Sequence, residues 1–154
     1  MAKRIDIGAI TPRIGSGYPA PFDEQPRLRE RKALGEAAGL SRLGVNLLRL
    51  PPGAWSTQRH WHARGDEMVF VVAGEVVLVT DAGEETLRAG DAAGFRAGDP
   101  DGHHLQNRSA ADALILEIGD RPGADTAHYP NIDLIATLTE DGRSLITHRD
   151  GTLY

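Results

Sequence analysis

His60-Trp61-His62-Ala63-Arg64-Gly65-Asp66-Glu67 is the stretch on which the reading of this chain turns. In an extended strand alternate residues share a face, so His60 and His62 are expected to project one way and Trp61 the other. Four residues separate His62 from Glu67, and Arg64-Gly65-Asp66 is turn-like, so a reversal there carries the carboxylate back on the neighbouring strand. Two imidazole nitrogens and one carboxylate oxygen then converge. That donor set suits a divalent ion such as Zn, Fe, Mn, Ni or Cu, and the absence of cysteine removes thiolate sites. Gln58 shares the alternation with the two histidines, which makes it a candidate for a hydrogen bond to a substrate or to a metal ligand.

Working outward, a strand is expected over residues 55–62, then over 67–72, a turn at Ala73-Gly74, and a strand over 75–80. The runs 68–72 and 76–79 are apolar on both faces, as in strands covered on both sides. Asp81-Ala82-Gly83 has hairpin-turn composition, and further short strands are expected over 85–88, 92–96, 103–107 and 112–119. Upstream, a strand over 43–50 is stopped by Pro51-Pro52-Gly53. Short strands at regular spacing with turn signals between them indicate an all-β antiparallel sandwich or barrel. Beyond Gly119 the expectation is a loop over 120–131, a short helix or strand over 132–139, and a strand over 143–148.

Residues 1–42 carry Pro12, Pro19, Pro21 and Pro26 together with five glycines, which reads as an irregular arm. It is too apolar to be free, so it is expected to pack on the barrel domain of residues 43–154 or on a partner chain. That arm and the two-sided apolar strands of 67–80 lead to the expectation of a homodimer.

The chain has 154 residues, enough for one domain with one core, and no apolar run long enough to cross a bilayer. No secretory signal is evident at the start, so the cytoplasm is the default compartment. A net charge of −5 disfavours nucleic acid as a partner. The basic cluster of Arg27, Arg29, Arg31 and Lys32 is interspersed with Glu24, Glu30 and Glu36 and reads as a solvated or ion-paired segment. Arg49, Arg59 and Arg96 are the guanidinium groups that, near a barrel mouth, would bind a carboxylate or phosphate. Exposed strand positions are the expectation for all three, and alternation turns Arg59 away from the histidines. Serine-triad, phosphate-loop and dinucleotide motifs lack their required context.

A glycine-bounded hairpin follows the histidines, another histidine lies about forty residues on, and Asn107 follows four residues after that. With these features the chain resembles the cupin superfamily, whose first motif is G-x5-H-x-H-x3,4-E-x6-G and whose second is G-x5-P-x-G-x2-H-x3-N. Here the first runs from Gly53 through His60, His62 and Glu67 to Gly74, with one extra residue before His60. The second runs from Gly90 through Arg96-Ala97-Gly98 to His103 and Asn107, with Arg96 in place of proline and a loop two residues longer. The chain is similar to a small single-domain cupin of the conserved-barrel type. That resemblance implies a double-stranded β-helix, or jelly-roll barrel, holding a divalent metal (Zn, Fe, Mn or Ni) on His60, His62, Glu67 and His103.

Adjacent residues on a strand face opposite ways, so only one of His103 and His104 can point inward. The family spacing of histidine and asparagine selects His103. Asn107 reads as a structural hydrogen-bond donor at the strand end, with a role near the substrate or behind the ligands as the alternative. The function expected is metal-dependent chemistry on a small polar molecule: dioxygenation with Fe, isomerisation or lyase chemistry with Zn, Mn or Ni. Glu67 is then a ligand and not a free base. The alternative is a non-catalytic sensor that binds a sugar or carboxylate in the same cavity.

Overall fold

The computed structural model describes residues 4–154, and its regular secondary structure is mostly strand. The strands are β1 (Arg13–Ile14), β2 (Glu30–Ala33), β3 (Leu43–Leu50), β4 (Trp61–His62), β5 (Glu67–Ala73), β6 (Glu75–Thr80) and β7 (Gly83–Arg88). They continue with β8 (Ala92–Phe95), β9 (His104–Gln106), β10 (Ala113–Asp120), β11 (Asp125–Tyr129), β12 (Leu134–Leu138) and β13 (Ser144–Thr147). A single helical turn, α1 (Leu34–Ala37), follows β2. Pairing is antiparallel throughout, in sheets of order β1-β2-β3-β10-β5-β8, β13-β12-β11-β4 and β7-β6-β9. This is the double-stranded β-helix.

Where alternation meets continuous ladders it dictates the packing. Leu48 and Leu50 of β3, Val69 and Val71 of β5, and Ala113 and Ile115 of β10 turn inward and join Val76, Leu78, Leu87 and Leu105 in one buried cluster. Gly74 makes the β5–β6 turn at φ +77, and a Cβ there would lie 2.7 Å from the Asp112 carbonyl oxygen. Only glycine satisfies both conditions.

Four expectations need correction. Residues 55–62 do not form one strand: Trp55 and His60 make isolated bridges, 56–59 bend, and only Trp61–His62 is regular. The expected loop over 120–131 contains β11, which pairs with β4 and β12. The single core is divided, since Ala127, Tyr129 and Leu134 form a second buried cluster with Tyr18 and Phe22 of the N-terminal segment packed against it. Finally, β5 is covered on one face only. Met68, Phe70 and Val72 on its outer face are exposed at 43%, 36% and 44%.

The N-terminal segment contributes structure of its own. β2 pairs with β3 and so extends the large sheet. Residues 120–131 misled because Asp120, Pro122, Gly123 and Asp125 carry turn chemistry, yet the strand begins at the last of them. The 132–139 segment resolves to strand, as β12.

Candidate metal centre

His60 ends the irregular 55–60 segment, His62 ends β4, and Glu67 opens β5 across the turn. His60 Nε2 lies 3.7 Å from Glu67 Oε2, and His62 Nε2 lies 3.5 Å from Glu67 Oε1. One ligand atom from each of the three residues falls within 4.8 Å of the others. His103, bridged to His60 through reciprocal backbone hydrogen bonds, places its Nε2 3.1 Å from Glu67 Oε2. The four side chains named from the sequence therefore meet at one carboxylate.

The far nitrogens of the first two rings are engaged by oxygen. His60 Nδ1 is 3.0 Å from the Gln58 carbonyl and 3.2 Å from Thr57 Oγ1, and His62 Nδ1 is 2.5 Å from Asp125 Oδ2. An Nδ1–H donated to these acceptors leaves an Nε2 lone pair facing Glu67, an arrangement typical of metal-binding histidines. Two lone pairs and a carboxylate then face each other at distances too long for direct hydrogen bonds. A divalent cation fits that gap. His103 differs, because its Nδ1 is buried without a partner and its Nε2 is hydrogen-bonded to Glu67. Its ring is clamped instead by stacking on Phe95, with centroids 3.5 Å apart.

Electrostatics agree with this geometry. Burial drives the His60 imidazole down to about 3, against the attraction of Glu67, so the ring is neutral at physiological pH. Burial alone would raise the Glu67 carboxyl, but the hydrogen bond from His103 and the surrounding imidazoles hold it at about 2. Neutral imidazole beside an ionised carboxylate is the protonation state in which these groups bind metal.

Gln58 does not follow the alternation, because residues 56–59 bend. Its amide donates to the Phe22 carbonyl and the Gln25 side chain, and only its backbone carbonyl serves His60. Asn107 is wholly buried and bonded on both ends of its amide, from Nδ2 to the Leu50 and Ala111 carbonyls and through Oδ1 to Ser109. Neither side chain is available to a substrate. His104 lies instead against Trp55, with centroids 4.6 Å apart and the rings tilted by 48°.

Asp125 was not singled out by sequence reasoning; read as part of a loop, it gave no sign that it would sit behind His62. Nor were the separate fates of the basic cluster visible. Arg29 is buried, with Nε donating to the Gly15 carbonyl and Nη1 to that of Ser56. Arg31 faces inward and meets Glu117, with a hydrogen bond from Nη2 to Oε1 and a close ionic approach of Nε to Oε2, both at 2.7 Å. Trp61, whose ring stacks on His128 of β11, also lines a cavity that reaches Glu67.

Two cavities meet at the centre and share His62, Glu67, Phe95 and His103 in their walls. One, of about 240 Å³, is bounded further by Trp61 and Arg96; the other, of about 280 Å³, by Arg31 and Thr57. The donor set thus borders space on both sides.

A cupin-domain family model matches residues 46–119. Among solved structures, the chain is similar to a sugar phosphate isomerase of the cupin superfamily from Silicibacter pomeroyi, at 42% identity and a TM-score of 0.94, covering 99% of this chain and 96% of that one. A proposed sugar phosphate isomerase from Acidithiobacillus ferrooxidans matches at 28% identity and a TM-score of 0.74, over 82% and 80% of the two chains. A proposed oxalate decarboxylase from Thermotoga maritima shares the fold at 21% identity and a TM-score of 0.60, over 77% and 98%. A sequence search against curated proteins returns no match.

Proposed function

The chain belongs to the cupin superfamily, and from that premise we propose that it is a metal-dependent isomerase acting on a small phosphorylated sugar. The observation that carries the reading is the group of His60, His62 and Glu67 opening onto a cavity, not sealed within the core. The extensive similarity to a sugar phosphate isomerase supports the choice of isomerisation over oxygenation. A cavity of about 240 Å³ lies just below the ~300–1,000 Å³ typical of drug-sized pockets, which suits a small polar molecule.

In this reading His60, His62, Glu67 and His103 hold one divalent ion. When bound, such an ion polarises a substrate carbonyl or hydroxyl oxygen and so eases removal of a proton from the adjacent carbon. The chain supplies orientation. Asp125 fixes the His62 tautomer, the Gln58 carbonyl fixes that of His60, and Phe95 holds the plane of the His103 ring. Tyr129, stacked on His60 with centroids 5.6 Å apart, backs that ring.

The test is exchange of the substrate C2 hydrogen in deuterium oxide, followed by NMR, with aldopentose and aldohexose phosphates and protein loaded with Zn, Mn, Fe or Ni. Exchange accompanied by aldose–ketose interconversion is the expected result. Stoichiometric metal with no exchange on any of these compounds contradicts the isomerase reading.

A further inference from the structure

Arg96, in the wall of the cavity that reaches Glu67, differs from Arg31, Arg49 and Arg59 in having no side chain paired with it. Arg31 is paired with Glu117, Arg49 with Glu30 and Asp112, and Arg59 donates to the Gly102 carbonyl, Asn131 and Asp81. Among the described residues Arg96 makes no ion pair and no side-chain hydrogen bond. Its backbone, by contrast, is anchored. The Ala97 N–H donates to Asp66 Oδ1 at 2.7 Å, the Gly98 N–H to the His62 carbonyl at 2.8 Å, and the Asp99 N–H to the carbonyl of Arg96 itself. The chain thus holds the Cα of an unspent guanidinium beside a candidate metal ligand, in the wall of the cavity that reaches Glu67.

The same cavity has an aromatic wall. Trp61 lines it, and the indole is backed by His128, with rings 4.2 Å apart and 17° from parallel. A rigid, backed ring of this kind suits the apolar CH face of a sugar. The opposite cavity lacks the indole, and its one arginine, Arg31, is already bound to Glu117.

We propose that the Trp61–Arg96 cavity is the substrate lobe, with Arg96 as the phosphate anchor and Trp61 as the surface for the sugar ring. This rests on the reading of the centre as a metal site for phosphorylated sugars. A guanidinium presents paired N–H donors that match phosphate oxygens, and it does so at least cost when no internal carboxylate competes. Asp99 and Asp101 lie in the same wall. Asp101 Oδ1 accepts from the Asp81 N–H, and Asp99 Oδ1 accepts from the Asp101 N–H. These carboxylates repel a bare anion but accept hydrogen bonds from sugar hydroxyls. The lobe therefore selects a phosphate ester of a polyol over inorganic phosphate.

The experiment is calorimetric titration of metal-loaded protein with an aldopentose phosphate, an aldohexose phosphate, the two free sugars and inorganic phosphate. It compares wild type with Arg96→Met, Arg96→Lys, Trp61→Leu and, as a control outside the lobe, Arg88→Met. Arg96→Met is expected to weaken at least one sugar phosphate tenfold or more and leave the free sugars within twofold, with Arg96→Lys recovering part of the loss. Trp61→Leu is expected to weaken phosphorylated and free sugars alike. Sugar-phosphate affinity within twofold of wild type in Arg96→Met, an equal loss in Arg88→Met, or no saturable binding of either sugar phosphate by wild type overturns the assignment. If wild type holds no metal, the reading of the centre fails instead, and the same comparison on metal-free chain decides the role of Arg96 by the same tenfold criterion.

Discussion

Leu48, Val71 and Ile115 lie in strands with hydrogen-bonded neighbours on both sides, whereas Tyr129 sits in a four-stranded sheet that ends at the two-residue strand β4. The first cluster is aliphatic and is organised by strand alternation. The second is aromatic and polar at its edge, and is tied down by the N-terminal segment through Tyr18 and Phe22. The candidate centre lies on the seam between them: Phe95, packed on the first cluster, stacks on His103, and Tyr129 of the second stacks on His60. One side of the site is therefore held by a ladder and the other by individual side-chain contacts. A continuous ladder fixes which way a side chain points; where the ladder stops, orientation is decided by partners distant in sequence.

The sharpest way to break this comparison is at the ligands. His62→Ala and His103→Ala are expected to weaken metal binding by orders of magnitude while circular dichroism remains that of an intact β protein. His104→Ala should leave stoichiometry near one ion per chain, because His104 faces Trp55. The reverse ranking of His103 and His104 in a metal titration would show that the inward face has been misassigned.

The clusters themselves should respond differently. Ile115→Ala empties a fully buried position in the ladder and should cost about 2–5 kcal/mol in denaturant unfolding of the metal-free protein, with metal affinity within twofold. Gln58→Ala removes the bonds to Phe22 and Gln25 that hold the bend before His60. It should cost only about 1 kcal/mol of stability but weaken metal binding roughly tenfold. Equal effects of the two substitutions on metal affinity would erase the distinction.

The reading of the fold from sequence succeeded where the ladder rules. Strands β3, β5, β6 and β10 and the φ-demanding Gly74 follow from alternation and turn chemistry alone. His60, His62 and Glu67 converge as their spacing suggests. Gln58 was misplaced because alternation was extended through residues that bend, and Asp125 was missed because turn-forming neighbours masked the start of β11. Arg29 could not be distinguished from Arg27 within a charged run, since its burial depends on acceptors at Gly15 and Ser56. Long-range acceptors leave no local trace.

Burial, helped by the charge of Arg59, lowers the His104 imidazole to about 4. Between about 6.5 and 4 the unfolded chain takes up a proton that folded His104 refuses, so stability present above pH 6.5 is lost as pH falls through that window. The loss is at most about 3 kcal/mol, and His104→Gln should flatten acid unfolding of the metal-free protein there. An unchanged profile in this variant would assign the acid sensitivity elsewhere. The bare outer face of β5 offers the expected homodimer its contact, so Phe70→Glu should shift sedimentation equilibrium toward monomer. Monomeric wild type at micromolar concentration would remove the dimer.

In the proposed reading His60, His62, Glu67 and His103 together hold one divalent ion. Elemental analysis of protein purified without added metal, followed by anomalous diffraction at the absorption edge of the metal found, tests it most directly. One ion per chain is expected, located within bonding distance of the His60 and His62 Nε2 atoms and of a Glu67 carboxylate oxygen. Metal-free protein that takes up no ion on titration, or an anomalous peak away from Glu67, would contradict it.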